Sequence, residues 1–203
     1  MRRHLVIASM LTLAAVAATA RPASAQAVNW NENWVFGVSA GAASASSETG
    51  ATLGAAVNWG LSSRVGLEAS STWLSRRGAN EAVAVAITSQ VAVWRREPVS
   101  AFARGGVGAF VMTLDTSSAD IPEFYRNRIA SLPAGSTRAF TDPSLVIGAG
   151  GDLRASRHLH VRPSIDFVTV LRDRRTMTVT MAAVQVAYHF ASHRITPERA
   201  GRR

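Results

Sequence analysis

The sequence predicts an all-β protein, an eight-stranded antiparallel up-and-down transmembrane β-barrel, and three observations lead to this fold class. Apolar side chains recur at every second position along most of the chain, which is the period of a strand with one apolar and one polar face. No apolar run after residue 25 reaches the roughly 18 to 20 residues that a membrane helix needs. The alternating segments are about eight in number, and a closed barrel is the other backbone that pairs all its polar groups in a bilayer.

The N-terminal segment has the features of a secretory signal peptide. Arg2 and Arg3 precede an apolar run over residues 5–20, and the small residues Ala23-Ser24-Ala25 follow, so we expect cleavage before Gln26. The chain therefore divides into a signal peptide over 1–25, a barrel over 26–190 and a short basic tail over 191–203.

Charge and cysteine content narrow the functional classes. The net charge is +9, but nucleic acid is a poor partner for a basic chain that carries an export signal. The sequence has no cysteine, which excludes disulfides and thiol chemistry.

The strands follow from the alternation, taken in chain order. Apolar residues occupy one parity and small or polar residues the other. The predicted strands cover 34–41, 53–59, 65–73, 83–93, 100–113, 145–153, 159–171 and 177–190.

The connections differ in length. Short turns are predicted at 60–64, 95–98 and 155–158, and loops at 44–50, 75–81 and 172–176. The single long connection, Leu114 to Pro143, contains prolines and a weakly helical centre at 123–129. An even strand count places both termini at the periplasmic end and this long loop outside.

Two strands contain positions that need special geometry. Placing Arg104 inside the barrel also places Phe102 and Phe110 inside, and the neighbouring glycines suit a bent or closely approached wall. Pro163 falls on the outer face of its strand, where it requires a bulge or a missing ladder hydrogen bond.

The last strand has the clearest pattern. Its apolar positions end in two aromatic residues, as expected where a membrane strand crosses the interface, while Gln185 and His189 share the other face. The outward set is Val184, Val186, Tyr188 and Phe190.

The order and spacing of these elements resemble the small eight-stranded outer-membrane barrels of the opacity-protein and OmpA-transmembrane-domain type. The resemblance is carried by Gly60–Ala69, Pro98–Gly108, Gly148–Asp152 and the closing strand. It implies a monomer in the bacterial outer membrane after signal-peptide removal, in contact with outer-membrane lipid including lipopolysaccharide. It also implies that the outer-membrane assembly machinery reads the aromatic-ended last strand.

The inward parity carries charges that should meet in a narrow interior. Eight strands enclose a space that side chains can fill, so opposite charges there are expected to pair and close it. The predicted lumen network is Glu68, Arg104, Asp152, Arg162 and Asp166.

Arginines in the outer loops form a second candidate site. Guanidinium groups bind phosphate in a bidentate way, so these side chains are possible lipid-phosphate contacts, with an ordinary solvated rim as the alternative. The set is Arg76, Arg77, Arg126, Arg128, Arg172, Arg174 and Arg175.

Other functions stay open at this point. A narrow ion or small-solute channel would use the same inward charges, and a soluble periplasmic lipocalin-like barrel would bury its apolar faces inward. A lipid A deacylase needs a His-x-Ser pair, whereas His160 and Ser164 are four residues apart and His189 and Ser192 three. His158 and His160 lack a third metal ligand in the sequence. We therefore expect no enzyme, no metal and no cofactor, and a structural or surface-interaction role.

Overall fold

The structure is a computed structural model, and a defined part of the chain can be described. The predicted signal peptide, residues 26–33 and the predicted basic tail lie outside the described residues. The described residues are 34–45, 48–62, 64–75, 80–96, 98–118, 120–130, 132–172 and 175–190.

Eight antiparallel strands form a closed barrel, and each strand pairs with the next in sequence while the last pairs with the first. This confirms the predicted fold class. The strands are β1 Trp34–Ala45, β2 Glu48–Gly60, β3 Val65–Ser75, β4 Glu81–Arg96, β5 Val99–Asp115, β6 Thr137–Arg154, β7 Leu159–Arg172 and β8 Arg175–Phe190.

The alternation has the orientation expected of a membrane barrel. Large apolar side chains point outward and remain about half exposed, such as Ile147 and Val107 at 67% and 63%. The residues of the opposite parity point inward and are buried; most are small, polar or charged, and Phe102, Phe110 and Met112 are large apolar exceptions. The outer surface is therefore apolar, which is the arrangement that a hydrocarbon surround favours and water does not.

Several predicted connections are shorter than expected, including those at 44–50, 114–143 and 172–176. The prediction of a loop over 44–50 is wrong, because β1 continues to Ala45 and β2 begins at Glu48. The long connection also shrinks, since β5 reaches Asp115 and β6 starts at Thr137. The residues at these strand ends are small or polar, so their side chains show no apolar alternation that predicts a strand. Backbone hydrogen bonds to a neighbouring strand nevertheless extend the strands through them. The helical centre is confirmed as helix α1, Glu123–Ile129.

Local irregularities occur in β4 and β7. The β4 register shifts between Ala92 and Trp94, which turns both Val93 and Trp94 outward. The β6–β7 ladder lacks pairs between Gly150↔Ser164 and Leu153↔Val161, the stretch that contains Pro163. The missing pairs match the expectation for a proline that cannot donate a ladder hydrogen bond.

The barrel interior divides into two halves. The half near Trp34 and Phe190, which we call the terminal end, contains buried polar and charged side chains. The opposite half, which we call the loop end, is mainly apolar. It includes Phe110, Met112 and, from α1, Tyr125, all 0% exposed. Among the described residues, no helix has the length and apolar character to cross a membrane.

Candidate functional site

Arg104 on β5 lies at the centre of the ion pairs in the interior. Its Nη1 donates to Glu68 Oε1 on β3 at 2.6 Å, and its Nε donates to Asp166 Oδ1 on β7 at 2.6 Å. A further guanidinium nitrogen donates to Asp166 Oδ2, so this pair is bidentate. One arginine thus crosses the lumen and joins strands on two sides of the barrel, a geometry that the rigid guanidinium fork permits.

Arg162 on β7 forms the second connection. Its Nη1 lies 3.6 Å from Glu68 Oε2 and its Nε 3.3 Å from Asp152 Oδ2. Its Cζ also lies 4.8 Å from the centroid of the Phe102 ring, an interior aromatic residue. The structure therefore brings all five residues of the predicted lumen set into one ion-pair network.

Uncharged polar residues complete this network, and sequence analysis did not include them in the site. Gln90 donates to Glu68 Oε2 at 2.7 Å and accepts from Arg162 Nη2 at 2.7 Å. Asn58 donates to Gln90 at 2.9 Å, and Gln185 accepts from Arg162 at 3.1 Å. Their inward parity was the available signal, but parity does not identify which polar residues on different strands come into contact.

A second polar cluster lies next to the network at the terminal end. His160 Nδ1 is 2.5 Å from Asp152 Oδ1, and the rings of His160 and His189 have centroids 3.9 Å apart. All three residues are more than nine-tenths buried. They meet because they are diagonal neighbours on the inner faces of β6, β7 and β8, and the small Ala187 beside His160 leaves space for both rings. His158 is not part of this cluster, because its ring stacks on Tyr188 at 5.7 Å.

At the loop end, α1 places one side chain deep in the barrel. The Tyr125 hydroxyl donates to Asp142 Oδ2 at 3.1 Å, and Arg128 Nη1 lies 3.1 Å from both oxygens of that carboxylate. Burial, together with the Asp142 charge, raises the pKa of the Tyr125 phenol. The phenol is therefore a neutral hydrogen-bond donor that holds the helix over the mouth of the barrel.

The predicted lipid-phosphate arginines have different environments. Arg128 is ion-paired with Asp142 and lies over the Phe140 ring at 4.2 Å, so it helps to close the barrel. Arg126 donates to the Ile121 carbonyl at 3.3 Å. Arg172 and Arg175 are opposite each other in the β7–β8 backbone ladder, at the end of this hairpin. The remaining three, Arg76, Arg77 and Arg174, lie outside the described residues.

The predicted assembly signal lies on the outer surface of β8. Val186, Tyr188 and Phe190 are about half exposed, and Val184 is partly buried. Phe190 pairs with Trp34 of β1, so this strand closes the barrel. Trp34 also stacks on Trp59 with centroids 5.8 Å apart, which gives the terminal end a cluster of outward aromatic residues.

The residues considered for nucleophilic chemistry do not form a Ser–His pair within the described part of the chain. His160 Nδ1 contacts Asp152, while the Ser164 hydroxyl accepts from Arg104 and donates to Asp166. Ser192, the possible partner of His189, lies outside the described residues.

Comparison with solved structures places this geometry among known barrels. The N-terminal β-barrel domain of Pseudomonas aeruginosa OprF matches with a TM-score of 0.57 and 12% identity over 79% of this chain and 98% of that one. Neisserial surface protein A matches with a TM-score of 0.59 and 10% identity over 78% and 96%. The chain has the fold of a small outer-membrane β-barrel.

A third similar barrel was solved with a ligand. It is Ail, the attachment invasion locus protein of Yersinia pestis, in complex with the heparin analogue sucrose octasulfate, with a TM-score of 0.51 and 13% identity over 79% of this chain and 99% of that one. No protein-family model and no curated protein matches the sequence. Identities this low establish the fold and leave function to be argued from the site.

Proposed function

We propose that this chain is a monomeric bacterial outer-membrane β-barrel with a structural or surface-interaction role, and that it does not catalyse a reaction. The observation that carries the proposal is the filled interior. The ion-pair network occupies the terminal half, and the apolar cluster with Tyr125 occupies the loop half. A barrel closed at two levels presents its outer surface and loops as the parts available for interaction.

The exposed surface supports the location. Outward Val, Leu, Ile and Phe side chains form a belt around the strands, and Trp34, Trp59, Trp94 and Tyr188 lie exposed near the terminal end. Aromatic residues are enriched where membrane barrels cross the lipid interface. A soluble lipocalin-like barrel would have the reverse arrangement, since it needs apolar residues inside and polar residues outside.

A narrow channel is the second candidate function, and one observation favours it. A cavity of about 60 Å³ lies between the two filled halves, lined in part by Glu68, Arg104 and Asp166. This volume has room for only a few water molecules. A continuous ion path would require the Arg104 pairs and the Tyr125 contact to open together.

Ion conductance in planar bilayers separates the two functions. We expect the purified full-length protein to give no steady conductance under conditions in which a general porin conducts. Steady conductance that is lost or changes selectivity in Glu68→Gln would reject the closed barrel and establish the channel. Arg138→Gln, at an exposed position on β6, is the matched control and should behave as wild type.

The partners of the barrel are part of the same proposal. We expect the outward β8 positions to be read by the assembly machinery, because they form the exposed edge strand until β1 pairs with β8. We also expect Arg172 and Arg175 to bind lipid phosphate, including that of lipopolysaccharide, because two cations are adjacent at one hairpin tip. Arg128 is already ion-paired with Asp142, where it helps to close the barrel.

A further inference from the structure

The cluster of Asp152, His160 and His189 at the terminal end has the composition of a metal site. One ligand atom from each residue can be chosen so that the three lie within 4.8 Å of one another. Imidazole nitrogen and carboxylate oxygen are ligands that divalent transition-metal ions of the Zn²⁺ type accept, and three protein ligands with an open position is a common set.

Unsatisfied polar atoms in this cluster point to a missing partner. His160 Nε2 and His189 Nε2 are buried and make no hydrogen bond. Asp152 Oδ2 faces Arg162 Nε at 3.3 Å. Buried polar atoms normally have partners, because leaving one unpaired costs free energy. A divalent cation can bind unprotonated imidazole nitrogens and a carboxylate oxygen at the same time.

His160 and Asp152 already contact each other within this cluster. His160 Nδ1 is hydrogen-bonded to Asp152 Oδ1 at 2.5 Å, so an ion that binds both side chains would replace this hydrogen bond.

We propose that Asp152, His160 and His189 bind a divalent transition-metal ion at the terminal end of the barrel interior. The site joins β6, β7 and β8, so an ion there would fasten the last three strands of the closed barrel. This role is structural and does not depend on whether the barrel conducts or on what its loops bind.

Metal uptake by the folded, full-length protein tests the site. The protein is made without a polyhistidine tag, stripped with chelator and titrated with Zn²⁺ alone, with bound metal measured by mass spectrometry and the unfolding midpoint recorded. We expect one ion per chain and a higher midpoint. We also expect His189→Gln and His160→Gln to weaken binding by at least about tenfold. His158→Gln is the matched control and should bind as wild type.

A second measurement avoids variants that fail to fold. Co²⁺ replaces Zn²⁺ in wild-type protein, and NMR records which histidine ring protons shift or broaden. Effects on His160 and His189 together would support the site. Absence of stoichiometric uptake, equal binding by His189→Gln, or effects confined to other histidines would overturn it.

Discussion

The residue with the most consequences for this fold is Arg104. Its guanidinium binds Glu68 on one side and Asp166 on the other, and its side chain is only 15% exposed. A buried ion pair need not be more stable than apolar residues of the same size, but removing one partner leaves the other charge buried alone. Arg104 therefore stabilises the barrel chiefly because it neutralises two buried carboxylates.

Substituting Arg104 by methionine tests this interpretation. Arg104→Met retains much of the side-chain volume and removes the charge, so we expect it to lower the free energy of unfolding by about 3 to 5 kcal/mol. Urea unfolding in lipid vesicles measures the change, with Arg138→Met at an exposed position as control. If Arg104→Met unfolds at the wild-type urea concentration, the network is not a source of stability.

At the scale of elements, the β4–β5 pair depends on close backbone approach. A Cβ built on Gly106 would clash with the Ile87 carbonyl oxygen and lie 2.6 Å from Thr88 Cα. One on the preceding Gly105 would meet nothing nearer than 3.8 Å. Two adjacent glycines thus have different roles, and only the inward one is required by the packing of the wall.

The pair provides a matched comparison. We expect Gly106→Ala to destabilise the barrel by about 1 to 3 kcal/mol, because the two strands must separate to admit a methyl group. Gly105→Ala should be neutral or stabilising by up to about 1 kcal/mol, since it restricts the unfolded chain without a clash. Thermal unfolding of both variants in one detergent gives the difference. Equal effects would mean that the close approach is not maintained in solution.

For the whole molecule, closure is the property that matters most. Each strand has a hydrogen-bonded neighbour on both sides, so the sheet has no open edge. In hydrocarbon no water can satisfy a free strand edge, and closure is therefore a condition for spanning the membrane. The filled interior and the apolar outer belt fit the same membrane setting, because the closed sheet faces packed side chains on its inside and presents apolar side chains on its outside.

Gel mobility measures closure directly. We expect the protein in the outer-membrane fraction, and we expect its mobility in detergent to change on boiling, because a closed barrel resists detergent until heat opens it. Recovery as a soluble periplasmic protein without a shift would reject the membrane location.

Refolding with and without lipopolysaccharide extends the experiment to the lipid proposal, with Arg172→Gln/Arg175→Gln compared with wild type.

The extent of each strand shows where prediction from sequence ends. Alternation identified all eight strands and the inward parity of Glu68 and Arg104. It missed the extension of β1 to Ala45 and of β2 back to Glu48, because residues there are too small and polar to show a pattern. Their pairing partners, which sequence does not reveal, determine those ends.

The sequence by itself determined the fold class, the apolar and polar faces of the strands and the five charged residues of the lumen network, because the two-residue period of a strand is a local property. The tertiary structure decided which charges meet. Arg104 and Asp166 are 62 residues apart in sequence, and Asp152, His160 and His189 come together only when β8 closes beside β7. Register and closure are long-range properties, so the ion-pair network and the candidate metal site became visible only in the folded barrel.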